Sequence, residues 1–203
     1  MIQPWRELIL LRRWLRDPNS MLVPQVIKRS ILFSLAREHG INVLVETGTY
    51  LGETADYALQ SFKEVHSIEV DKRLHERAKR LFGNRDGASF HLGDSGILLP
   101  EIVAKLKGPA VFWLDGHFSS HVTGRGHEDT PIEKELKTVL ESPFLHVAVV
   151  DDARMFGTDP AYPTLDKVRE IQNRLRPGHE IFVVADVIVI GPFGTDAFPR
   201  QVA

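Results

Sequence analysis

Val45-Glu46-Thr47-Gly48-Thr49-Tyr50-Leu51-Gly52 closes a short apolar run that begins at Val43 and leads into a helical stretch near 53–62. Strand, glycine-bearing loop and helix in that order make the opening unit of an α/β sheet, whose ligands bind beyond the carboxyl ends of the strands. Gly48 permits a close backbone approach and Gly52 a tight entry into the helix. The helix start offers free N–H groups and partial positive charge to an anionic group. The dinucleotide fingerprint is G-x-G-x-x-G, but here its first glycine is replaced by Glu46. An acid there repels a pyrophosphate and can hold an ammonium group, which favours an amino-acid-like ligand.

Further strand candidates follow at 64–70, 88–92, 110–114 and 146–150, with helical stretches near 72–82, 96–106, 131–141 and 164–175 between and after them. Alternating strand and helix implies a parallel sheet with helices on both faces. Its apolar strands lack polar alternation, as strands buried on both sides do. Thr130-Pro131-Ile132-Glu133 reads as a capping box with proline at the first helical position. Ile181–Val184 and Val187–Ile190 are separated only by Ala185-Asp186, so they form a hairpin, although Ala-Asp is not the preferred turn pair. Before the first strand, residues 1–42 read as a helical cap. One helix runs from about Trp5 to Arg16. A second begins after Pro24, places Ile27, Ile31 and Leu35 on one stripe and stops at Gly40. Residues 43–203 then form the main domain.

The chain has 203 residues, a formal net charge of −2 and no cysteine. That length suits one domain with a small appendage. The missing cysteines remove disulfides, thiolate metal sites and thiol nucleophiles together. The near-neutral balance argues against a nucleic-acid partner. No segment has the roughly 18 apolar residues of a membrane span, and the N-terminal apolar run is broken by charges too early for a secretory signal, so a cytoplasmic protein is expected. Arg6, Arg12, Arg13 and Arg16 beside two tryptophans would suit weak association with a membrane surface, against which stands the commoner role of a docking helix. A homo-oligomer is compatible with all of this.

The second strand ends at Glu69, 23 positions after Glu46, where an acid commonly accepts hydrogen bonds from ribose hydroxyls. The third ends Gly93-Asp94-Ser95, and Asp94 could accept from an exocyclic amine or cap the next helix. Together the three strand ends describe a nucleoside site.

The run Val45–Gly52 resembles the first motif of class I S-adenosylmethionine-dependent methyltransferases, Ile68-Glu69-Val70-Asp71 their second, and Gly93-Asp94-Ser95 their third. The resemblance covers about residues 43–190. It implies a Rossmann-like, doubly wound seven-stranded sheet, mostly parallel, with a C-terminal antiparallel hairpin. It implies that S-adenosylmethionine is held by Glu46, Thr47, Gly48, Thr49 and Gly52 at the methionine moiety, by Glu69 at the ribose, and by Asp94 and Ser95 at the adenine.

The fourth and fifth strands run into Asp115-Gly116-His117 and Asp151-Asp152-Ala153-Arg154. Three carboxylates at one edge repel one another, and Mg²⁺ is the natural relief; singly, each reads as a cap or a partner of Arg154. Asp115, Asp151 and Asp152 resemble the ligands of the metal-dependent O-methyltransferases of catechol and macrolide-sugar type. That implies Mg²⁺-assisted methylation of a hydroxylated small molecule, a sugar or secondary metabolite. Asp115 and His117 are the catalytic candidates, with His117 as base.

Residues 116–130 form a long irregular connection, suited to a binding loop. Its His117, His121 and His127 could make a zinc site with Asp115, although no standard spacing matches. Two other functions compete: a metal-independent methyltransferase acting on another nucleophile, and a non-catalytic nucleoside-binding regulatory domain. Asp115-Gly116-His117-Phe118 lacks the paired prolines of base-modifying relatives, which counts against nucleic-acid bases.

Overall fold

The computed structural model describes residues 4–19, 21–116 and 131–193. In chain order the elements are α1 (Pro4–Arg16), α2 (Gln25–Glu38), β1 (Val43–Thr47), α3 (Glu53–Ala58), β2 (Glu64–Glu69), α4 (Lys72–Phe82), β3 (Ala88–Leu92) and α5 (Ser95–Val103). There follow β4 (Val111–Leu114), α6 (Ile132–Glu141), β5 (Val147–Val150), one 3-10 turn (Ala153–Met155), α7 (Leu165–Leu175), β6 (Glu180–Val184) and β7 (Val187–Gly191). The strands form one sheet in the order β3-β2-β1-β4-β5-β7-β6. The pairs among β1–β5 are parallel, whereas β7 runs antiparallel to both β5 and β6. This is the seven-stranded sheet with a reversed hairpin that the sequence led us to expect.

The strands carry no polar alternation because both faces are covered. Alternate residues feed two separate cores. Leu44, Val65, Val111, Trp113, Val147, Val149, Val187 and Val189 meet Leu32, Leu35 and Ala36 of α2 on one face. Val45, Ile68, Phe112, Leu114, Ala148, Val150, Ile188 and Ile190 meet α5, α6 and α7 on the other. The order reverses between β1 and β4, and ligands bind at such a switch point.

Three local expectations are corrected. The buried face of α2 is not the Ile27–Ile31–Leu35 stripe. Its buried residues are Lys28, Arg29, Leu32, Leu35 and Ala36, while Ile27 and Ile31 are half-buried. The helix is turned so that two cations reach buried acids. Next, α3 runs only six residues. Finally, α6 starts at Ile132 with Pro131 as its N-cap, not as its first helical residue; Thr130 lies outside the described residues.

The Ala185-Asp186 turn has φ of +47° and +63°, the two positive values that a type I′ hairpin needs. Aspartate tolerates such a value, but Ala185 does not adopt it cheaply. The tip is held by tertiary bonds instead: Asp186 O accepts from Ala153 N at 2.9 Å, and Asp186 Oδ1 accepts from Arg154 N at 3.0 Å.

Candidate functional site

Parallel register brings the ends of β1, β2 and β3 to one edge, with Thr47 beside Ile68 and Glu69 beside Leu92. The loop after β1 turns sharply there. Gly48 has φ +84°, and a Cβ at that position would lie 2.4 Å from the carbonyl oxygen of Asp115. The N–H groups of Gly48 and Thr49 both donate to Ile68 O, at 3.0 and 3.2 Å. Gly52 caps α3 with φ +78° and leaves room for the Phe82 ring, 2.7 Å from where its Cβ would be.

Glu46 is 1% exposed and accepts a 2.5 Å hydrogen bond from Ser67, whose hydroxyl lies 2.6 Å from that of Thr49. Burial, helped by the charges of Asp115 and Glu69, pushes the Glu46 carboxyl up to about 8 against the Ser67 bond. The folded chain therefore holds a proton that the unfolded chain releases above its ordinary value of 4.5. Stability from this group is complete below that value and falls as pH rises through 8, at up to about 1.4 kcal/mol per pH unit. Glu46→Gln removes the slope. Its urea midpoint is expected to exceed the wild-type value at alkaline pH and to converge with it at mildly acidic pH. A gap that does not vary with pH would refute this assignment.

Glu69 accepts at both oxygens, from Tyr50 N at 2.8 Å and Asp71 N at 2.9 Å. It thereby fastens the first loop to the end of β2. Burial raises its pKa and those backbone bonds oppose the rise. Capping of α4 is left to Asp71. Asp94 caps α5, with Oδ1 accepting from Gly96 N at 2.8 Å. Asp115 ends β4 against β1, its N–H donating to Thr47 O at 3.1 Å. The structure thus gathers Glu46, Thr47, Gly48, Thr49, Gly52, Glu69, Asp94, Ser95 and Asp115 at one sheet edge. His117, His121 and His127 lie outside the described residues.

Glu135 of α6 was missed by the sequence reading. It is 1% exposed, and its Oε1 has no hydrogen-bond partner among the described residues. A Cβ added to Gly116 would stand 3.1 Å from that oxygen, 3.2 Å from Thr47 Oγ1 and 3.3 Å from Ser95 Oγ. Burial pushes the Glu135 carboxyl up to about 7, with the Ser95 and Thr47 hydroxyls opposing. One signal was available in the sequence: Glu135 falls on the buried stripe of Ile132, Leu136 and Val139, where an acid needs a reason.

The β4–β5 edge is built differently from the expectation of a shared ion. Among the described residues, the acids that converge are Asp151, Asp152 and Asp186, one oxygen of each within 4.8 Å of the others; Asp115 is not in this group. Lys28 Nζ lies 2.5 Å from Asp151 Oδ1, 3.0 Å from Asp186 Oδ2 and 3.6 Å from Asp152 Oδ1. Burial draws the Lys28 pKa down, but Asp151 and Asp186 more than restore it, so the net shift is upward and the ammonium is kept. Arg154 Nη1 donates to Asp152 Oδ1 at 2.7 Å and also pairs with Asp186 Oδ2. The Lys28 ammonium thus stands where Asp151, Asp152 and Asp186 converge.

No protein-family model matches the chain, and no curated protein matches it. Solved structures do. The O-methyltransferase TomG of Streptomyces achromogenes, involved in tomaymycin synthesis and solved with S-adenosylmethionine, aligns at 18% identity and a TM-score of 0.54 over 88% of this chain and 84% of its own. A Staphylococcus aureus protein provisionally named a caffeoyl-CoA O-methyltransferase aligns at 14% identity and 0.52, over 90% of each chain. A Clostridium thermocellum protein provisionally named an rRNA methylase aligns at 11% and 0.52, over 78% of this chain and 95% of its own. Since a protein provisionally named an rRNA methylase shares the fold, the expectation of no nucleic-acid partner gains no support from the comparisons. No helix among the described residues is long and apolar enough to cross a membrane. Strand order, reversed hairpin and these likenesses agree: the chain has the Rossmann-like fold of the class I S-adenosylmethionine-dependent methyltransferases.

Proposed function

We propose that the chain is an S-adenosylmethionine-dependent methyltransferase acting on a hydroxyl group of a small molecule. The observation that carries this reading is the convergence of the Gly48 loop, Glu69 and Asp94 on the ends of adjacent strands. When bound, S-adenosylmethionine supplies an electrophilic methyl group. The chain's own work is to bind, orient and manage a proton. Glu46 and the Gly48 loop face the ammonium and carboxylate of the amino-acid end. Glu69 keeps acceptor capacity for ribose hydroxyls beyond its two backbone bonds, and Asp94 accepts from the adenine amine. Asp115, on the strand next to β1, addresses the acceptor, and His117 takes its proton. Holding acceptor and methyl carbon in line supplies much of the rate in such a displacement. The magnesium dependence implied by the family resemblance is not carried forward, because Lys28 already pairs with Asp151 and Asp152, two of its three expected ligands.

Calorimetric titration with S-adenosylmethionine tests the reading. Wild type is expected to bind one equivalent. Glu69→Ala is expected to bind about 10- to 100-fold more weakly, the loss of one or two hydrogen bonds to a charged group, with an unchanged fold by circular dichroism. Absence of binding to the wild-type protein would overturn the proposal.

A further inference from the structure

Lys28 comes from α2, is 2% exposed, and reaches the far end of the sheet edge to meet acids 123 and 158 positions away. An ammonium has three N–H donors. Asp151 and Asp186 take two, and Asp152 lies within ion-pair reach of the third. Gln25, one turn earlier on α2, donates from Nε2 to the other oxygen of Asp151 at 3.2 Å. Arg154 closes the far side of Asp152 and Asp186. Three carboxylates are thus matched by two cations, each acid within ion-pair distance of at least one of them. A divalent ion here would stand a few ångströms from a fixed like charge that repels it.

We infer that Lys28 is a resident cation among Asp151, Asp152 and Asp186 at the end of β5, so that this cluster takes no divalent ion and Lys28 acts as a positioning residue. It joins α2, the end of β5, the 3-10 turn and the tip of the β6–β7 hairpin into one unit. Its donors are committed to the three acids, so it leaves acceptor contacts to groups such as Asp115. The inference bears on catalysis only through the proposed methyltransferase reading. Its own test measures metal binding, and so fails or succeeds separately.

The probe is Mn²⁺ with the full chain, followed by electron paramagnetic resonance and by broadening of the amide resonances of residues 150–154. Wild type is expected to show no saturable site and no selective broadening of those amides. Lys28→Ala, which removes the cation and opens space among the acids, is expected to gain one saturable site that broadens them. Adding Asp151→Asn should remove that site again, while Lys28→Arg, which keeps the charge, should gain none. Saturable Mn²⁺ binding in the wild type that broadens residues 150–154 would overturn the inference. So would a folded Lys28→Ala with no gain. If Lys28→Ala does not fold, the wild-type titration decides alone: broadening at 150–154 refutes the inference, and its absence upholds it.

Discussion

Gly48→Ala is expected to lower stability by about 2–5 kcal/mol and to abolish detectable S-adenosylmethionine binding. Two costs add. An L-residue held at the φ of +84° seen here costs roughly 1–2 kcal/mol. The new Cβ would also stand 2.4 Å from Asp115 O, a contact relieved only by moving backbone, and such overpacking costs about 1–3 kcal/mol. The ends of β1 and β4 would be forced apart at the point where the cofactor loop meets the acceptor side. Gly40→Ala is the control, because φ there is +63° but nothing lies within 4 Å of the added carbon. It should cost about 1–2 kcal/mol and leave binding intact. Urea denaturation and calorimetry of both variants check this. Equal stability losses in the two would show that the Gly48–Asp115 approach does not matter.

Gly48 and the sheet were legible because local signals agreed with the global fold. Apolar runs without alternation, such as Val111–Leu114, are buried on both faces and divide odd from even residues between two cores. Glu69 and Asp94 were legible because a strand end is fixed once the strand is. The unread parts depend on partners distant in sequence. Apolar periodicity placed Ile27 and Ile31 on the buried face of α2, yet Lys28 and Arg29 are there. Arg29 pairs with Glu7 of α1 and stacks 4.8 Å from the Tyr57 ring centroid. Hydrophobic patterning cannot register a buried charge whose partners are remote. Nor could an Ala-Asp turn be judged from its own residues, since the Asp186 carboxylate that steadies it is bound to Lys28 and Arg154. The repulsion of the acids at 151 and 152 is visible in the sequence, whereas the Lys28 of α2 that reaches them is not.

Asp151→Ala is expected to cost about 3–5 kcal/mol, the range for removing one partner of a buried ion pair. Lys28 would keep its burial and lose its nearest acceptor, leaving Asp186 at 3.0 Å and Asp152 at 3.6 Å. The double variant Lys28→Met with Asp151→Leu should recover at least about 2 kcal/mol of that loss. It removes one positive and one negative charge together, so Asp152 and Asp186 remain matched to Arg154 at an unchanged net charge, and it fills the space with apolar volume. A buried pair of this kind often contributes little net stability against a well-packed apolar substitute. Its value lies instead in fixing where α2 sits on the sheet edge, since an ammonium among three acids has few alternative docking positions. The double variant should therefore unfold at a clearly higher urea midpoint than Asp151→Ala while its amide resonances in α2 and at the hairpin tip broaden or multiply. Losses that simply add, with a coupling energy near zero in the double-mutant cycle, would show that Lys28 and Asp151 do not act as a unit.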